Sequence, residues 1–216
     1  MKLKYFLHQY GRLYSDELGI DLERDPFEWL IASILFGNRI STKIARNTFL
    51  VYRDAGLTTP ESIDQASRGK LIEVHGKGGY TRYDGITATY MKDTAAKVIQ
   101  DLDGKLAKLD EISDGPQDLE DRLLDFKGVG TVTARIFLRE MRGIWKNADP
   151  EFTDIETNAA LKLGIVTKRD GAEDEAMKMW RRNAVEGYSF RNLQAALVRI
   201  GLEIRRGREV EPLETG

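Results

Sequence analysis

The chain has 216 residues, 41% hydrophobic and 31% charged, with 33 Lys and Arg against 35 Asp and Glu for a formal net charge of −2. This is the composition of a globular chain rather than a disordered one, and the near-neutral balance argues against a protein that coats DNA through bulk charge. Cysteine is absent and histidine occurs only at positions 8 and 75, which excludes disulfides and Cys-ligated zinc or iron–sulfur centres and argues against a His-rich metal site.

Asp25-Pro26 opens the first clear helix. Asp suits the N-cap, Pro the first helical position, and Glu28 falls in the positive first turn. Phe27, Leu30, Ile31, Ile34 and Leu35 then recur at helical spacing until Gly37-Asn38 stops the run. A second helix is expected from Ser41, with Ile44, Thr48 and Val51 on one face, ending near Gly56; Pro60 starts a third through Ile63 and Ala66. His75–Gly85 (HGKGGYTRYDG) is rich enough in glycine to read as an irregular loop. Thr87–Leu102 is helical again, with Ala88, Met91, Ala95 and Val98 on a buried face. Two short helices, Pro116–Phe126 and Thr131–Ile144, flank Lys127-Gly128-Val129-Gly130. Further helices are expected from Thr153, over Glu173–Val185 and over Phe190–Ile204. No run alternates as a strand does, so the expected fold class is all-α.

No window reaches the roughly 18 uninterrupted apolar residues of a membrane span. Met1–Tyr14 mixes Lys, His, Arg and Tyr among its apolar positions, unlike a signal peptide. A cytoplasmic, nucleoid-associated location with no membrane partner is therefore expected. Arg181, Arg182, Arg191, Arg199, Arg205, Arg206 and Arg208 crowd the C-terminal third, whereas Asp110–Asp125 is acidic. Each cluster reads either as a solvated helix face or as a charged surface for a partner.

The stretch Leu123 to Ala134 carries the most specific chemistry. Gly128 and Gly130 flank an aliphatic residue, allowing a tight turn between helices while Val129 plugs into the core. The amides of Gly130, Thr131 and Val132 then stand at a helix N-terminus, oriented to donate to a phosphate oxygen with help from the helix dipole. Such a contact positions DNA without reading its sequence. The plain alternative is a helix–turn–helix corner with glycine as a C-cap. Further on, Thr153-Asp154-Ile155-Glu156 reads as a capping box, in which Asp154 only complements the dipole.

From Pro26 to about Leu163 the sequence resembles the helix-hairpin-helix DNA glycosylase superfamily, in particular its endonuclease III-like members. Asp25–Leu35 is similar to the family's first core helix, Phe126–Ala134 to its hairpin, and Phe152–Asn158 to the segment bearing its catalytic aspartate. The resemblance implies two helical domains with a cleft between them: a central helical barrel over 26–142 with the hairpin, and a second domain from 1–25 plus 143–216. It implies Asp154 as the catalytic carboxylate, with Asp149 and Glu156 as fallbacks. Lys127, Gly128, Val129, Gly130, Thr131, Val132 and Thr133 become the DNA-binding hairpin. Asn38 occupies the place of a wedge residue with Arg39 beside it, and Tyr80, Arg82 and Tyr83 become candidates for a base pocket.

Two departures refine the expectation. Bifunctional members carry a lysine two residues after the hairpin's second glycine, where this chain has Val132; Lys127, across the turn, is not credited as a nucleophile. The iron–sulfur cluster of many endonuclease III relatives has no cysteine to hold it here, so no cofactor or metal is expected. The implied protein is a monomeric, monofunctional DNA N-glycosylase acting on duplex DNA with a lesion or mispair. The alternatives are a non-catalytic DNA-binding module and a glycosylase/lyase with an unexpected amine.

Overall fold

Helical periodicity is realised throughout. The computed structural model describes residues 1–214, and among them lie thirteen α-helices and no named strand. None of these helices is long and apolar enough to cross a membrane. The chain divides into two compact units, residues 18–150 and residues 1–17 joined with 151 onward. The joints fall after Glu17 and Pro150 rather than at 25/26 and 142/143. Side chains explain the wider unit: the Arg53 guanidinium donates to the Leu18 carbonyl, and Arg142 reaches Asp149 and the Pro150 carbonyl.

The larger unit is built around α3 (Pro26–Gly37). Pro26 starts it as expected, but Asp25, at the N-cap position, does not cap it: its carboxylate pairs with Arg24 instead. Trp29, Leu30, Ile31, Ile34 and Leu35 are all buried. Helices α4 (Thr42–Asp54) and α10 (Thr131–Met141) pack on it, and the Trp29 indole donates to the Phe137 carbonyl at 3.1 Å. Ser41 caps α4 by accepting from the Ile44 amide, and Thr59 with Ser62 forms the capping box of α5 (Pro60–Gln65).

The expected loop at 75–85 is corrected. Helix α6 (Arg68–Gly78) runs through His75, Gly76 and Lys77, and α7 (Asp84–Leu102) begins just after, leaving only residues 79–83 between them. Gly78 is not a helix breaker here. A Cβ on it would stand 2.3 Å from Thr48 Oγ1 and 2.4 Å from Thr48 Cα, so its bare backbone lets α4 and α6 approach closely. Only Gly79, at φ +87, uses the left-handed conformation that ends the helix.

After α8 (Lys108–Glu111) and α9 (Pro116–Leu124), α10 stops at Met141 rather than Ile144. The stretch that follows is tied down. Asp110 accepts from the Lys146 and Asn147 amides, each at 2.8 Å, and the Asn147 side chain donates to the Asp110 and Ser113 carbonyls. The Asp110 carboxylate as acceptor and the Asn147 amide as donor thus supply the backbone partners that a helix would otherwise provide.

The smaller unit centres on α13 (Phe190–Arg205), against which α1 (Leu3–Tyr10) and α11 (Asp154–Lys162) pack, with α12 (Ala172–Asn183) on α11. Phe6, Leu7, Ala159, Ala160, Leu163, Leu193 and Leu197 form its dry core. One clustered arginine is internal. Arg199 donates to the Tyr10 and Arg12 carbonyls, pairs with Glu17 at 3.0 Å, and lies 4.0 Å from the Tyr14 ring centre.

Candidate functional site

The α9–α10 turn follows from its glycines. Phe126 and Val129 amides close successive turns on the Leu123 and Phe126 carbonyls at 3.1 and 3.0 Å. Gly128 has φ +82, and a Cβ there would meet the Tyr90 side chain at 2.6 Å, so both conformation and space call for glycine. The Thr94 hydroxyl donates to the Lys127 carbonyl at 3.2 Å, while Val129 is buried as the plug. Gly130 is the extended N-cap of α10, and no side chain caps that helix. Its first-turn amides therefore face outward with the positive dipole end, the arrangement that takes an anionic oxygen.

Around those amides Lys127, Thr131 and Val132 are exposed, Val132 by 63%. Thr133 instead turns inward against Gly37, where a Cβ would stand 2.1 Å from its hydroxyl. The position two residues past Gly130 therefore presents an isopropyl group and no amine. Sequence reasoning missed the ion pair that braces the hairpin: Arg135 Nε lies 2.8 Å from Glu120 Oε1, joining α10 to α9, with both side chains largely buried. Nothing in the spacing across a turn marks those two residues as partners.

The five wedge and pocket candidates separate. Asn38 donates to the Ile34 carbonyl at 2.9 Å and so completes the end of its own helix. Arg39 beside it is exposed. Tyr80, expected on an open loop, is corrected to a core residue: it is fully buried, its hydroxyl lies 3.0 Å from Thr87 Oγ1, and its ring centre is 5.1 Å from that of His75. Burial pushes its phenol pKa up. Arg82 is exposed over the half-buried Tyr83 ring, 5.2 Å from its centre.

His75 is itself part of the core. Its Nδ1 lies 3.0 Å from the Asp84 carbonyl and its Nε2 2.8 Å from the Tyr52 hydroxyl. A carbonyl only accepts, so Nδ1 carries the proton and the Tyr52 O–H donates to Nε2. Burial lowers the His75 pKa and raises that of Tyr52.

In the smaller unit, both halves of the expected capping box are present. The Thr153 amide donates to Glu156 at 2.9 Å, and the Glu156 amide to Thr153 Oγ1 at 3.5 Å. Glu156 is buried by this role and is reached by Gln194 Nε2. Asp154, at the first helical position, keeps 85% of its side chain exposed. The helix bearing it is seated through Gly201 of α13, where a Cβ would meet Ile155 Cγ2 at 2.6 Å and the Ile155 carbonyl at 2.7 Å. Arg169 lies beside the carboxylate, Nη1 to Oδ1 3.3 Å, and its other amino group bonds Asn158 Oδ1. Asp149, the other fallback, is paired with Arg142. Among the described residues, no group of three or more His, Cys, Asp or Glu is placed to hold a metal ion.

The all-helical fold of this chain is similar to that of two solved DNA glycosylase structures. Two solved structures define the likeness. The H. pylori 3-methyladenine DNA glycosylase MagIII, bound to 1,N6-ethenoadenine, superposes with a TM-score of 0.56 at 17% identity, over 97% of this chain and all of that one. A trapped endonuclease III–DNA covalent intermediate, an estranged-adenine complex, gives 0.53 at 18% identity over 97% of this chain and 88% of the other. No family model and no curated protein matches the chain by sequence.

Proposed function

We propose that the protein is a monofunctional DNA N-glycosylase that acts as a monomer on duplex DNA carrying a damaged or mispaired base. The observation that carries this reading is the correspondence of fold, across nearly the whole chain, with two DNA glycosylases. The hairpin supports it with uncapped amides for a DNA phosphate. Val132, in place of an amine, favours hydrolysis over Schiff-base chemistry.

In the proposed reaction the target nucleotide is flipped out of the duplex. Its C1′–N bond breaks, the electron pair leaves with the base, and the sugar becomes oxocarbenium-like. The Asp154 carboxylate stabilises that cation and accepts a proton from the water that adds at C1′, and the departing base takes up a proton. Arg39 and Arg82, both exposed, are the retained candidates for contact with the DNA.

The test is a panel of duplexes carrying single altered bases, beginning with 1,N6-ethenoadenine and 3-methyladenine and extending to mispaired uracil and thymine. Base release should leave abasic sites that break only after hot alkali. Asp154→Asn should abolish release and leave DNA binding intact. Full activity in that variant refutes the carboxylate, and a borohydride-trapped protein–DNA adduct refutes the monofunctional mechanism. Binding without release across the panel identifies a non-catalytic module instead.

A further inference from the structure

We propose that Arg169 is a phosphate-binding residue for the target nucleotide, parked on Asp154 in the free protein and transferred to the DNA backbone on binding. The inference rests on the reading of Asp154 as the carboxylate that acts at C1′. Arg169 lies in the connection between α11 and α12, and its guanidinium spans two groups one helical turn apart: Asp154 Oδ1 at 3.3 Å and Asn158 Oδ1. Asn158 accepts one edge of the fork while the other edge faces the carboxylate, which fixes the direction of the cation. Its side chain is 57% exposed and that of Asp154 85%, so the pair braces no core.

Charge logic assigns the role. Every nucleotide has a phosphate on each side of its sugar, so a carboxylate brought to C1′ approaches negatively charged groups. An unpaired carboxylate there would repel the backbone it must reach. With Arg169 interposed, the approaching phosphate meets a cation. As the guanidinium turns to the phosphate oxygens, Asp154 loses its counter-charge and can face the developing sugar cation. Asn158, a neutral acceptor, holds the fork through the exchange. A phosphodiester of the target strand is the ligand class.

The probe is a duplex with a central tetrahydrofuran abasic-site analogue, which the proposed base release does not consume. Binding is followed by fluorescence anisotropy between about 50 and 200 mM salt. Arg169→Gln should weaken binding about five- to tenfold at the low-salt end and make the slope of log K against log salt shallower by about one. Arg181→Gln, at an exposed arginine of the same unit, should leave the slope at the wild-type value. Asp154→Asn should bind the probe as tightly as wild type or more tightly, because no carboxylate then competes with the phosphate for the guanidinium. Equal slopes in Arg169→Gln and wild type overturn the proposal, as does an equal loss in Arg181→Gln, which would mark generic attraction. Weaker binding by Asp154→Asn overturns the exchange. Base release that survives in Asp154→Asn removes the catalytic reading alone, and the Arg169 slope still decides the phosphate contact.

Discussion

Substituting Gly37 by alanine tests how tightly the end of α3 is built against the first turn of α10. A Cβ at Gly37 would stand 2.1 Å from Thr133 Oγ1, 3.1 Å from its Cβ and 3.3 Å from its Cα. An ordinary contact begins near 3.4 Å, so the hydroxyl must retreat by more than an ångström. Thr133 is only 4% exposed and has nowhere open to go. Overpacking of this kind costs about 1–3 kcal/mol. Alanine's better helix propensity returns at most about 1 kcal/mol, and less at a helix end. The expected net loss for Gly37→Ala is about 1–2 kcal/mol. Thr133→Ala removes the closest atom and leaves contacts that a shift of a few tenths of an ångström relieves. The double variant should therefore be more stable than the two single losses summed, by at least about 1 kcal/mol. Urea titration followed by tryptophan fluorescence reads this directly, because Trp29 and Trp145 lie in the same unit as the substitution. A neutral or stabilised Gly37→Ala, or a cycle additive within about 0.5 kcal/mol, refutes the reasoning.

Two further outcomes follow from the same unit. His75 is neutral in the folded protein with its pKa lowered by burial, whereas the unfolded chain takes up that proton below about pH 6.5. Its contribution is thus intact above pH 6.5 and lost as pH falls, by up to about 1.4 kcal/mol per unit until the folded pKa is reached; melts at pH 7.5 and 5.5 should show a steeper loss in wild type than in His75→Gln, and parallel losses would refute it. Gly128→Ala combines φ +82 with a Cβ 2.6 Å from the Tyr90 ring, so it should cost at least about 2 kcal/mol and weaken binding to an undamaged duplex. An unchanged urea midpoint would sink that expectation.

The elements most legible in the sequence were those whose signals are local. Pro26 before a helical stripe, and Thr153 three residues before Glu156, each contain their own explanation within one turn. The glycine-rich stretch at 75–85 misled because glycine serves two purposes that look alike in a sequence. At Gly79 it permits a left-handed backbone, while at Gly78 it permits contact with Thr48, which lies thirty positions earlier in the chain. That ambiguity makes Tyr80 read as a base-pocket candidate on a loop and hides its contact with His75. At the hairpin, the turn and its plug could be read from Gly-Val-Gly, but the Glu120–Arg135 brace could not. Arg169 carried no signal, because its neighbour Asp154 is fifteen positions away across a helix and a turn. What escaped detection was in each case a relation between elements, which neither periodicity nor capping encodes.

The discontinuity of the smaller unit has a consequence for how the protein is made. Residues 1–17 emerge from the ribosome before residues 18–150, yet α1 packs against α13, far along the chain. The first residue also meets the far end of the described chain: the Glu214 amide donates to the Met1 carbonyl, and Lys2 and Glu214 form an isolated bridge. Residues 18–150 can complete their own core during synthesis, while the opening segment waits, with Phe6 and Leu7 uncovered, until α13 has been extruded. Vectorial synthesis thus makes α1 among the last helices to dock, with its apolar face exposed in the interval.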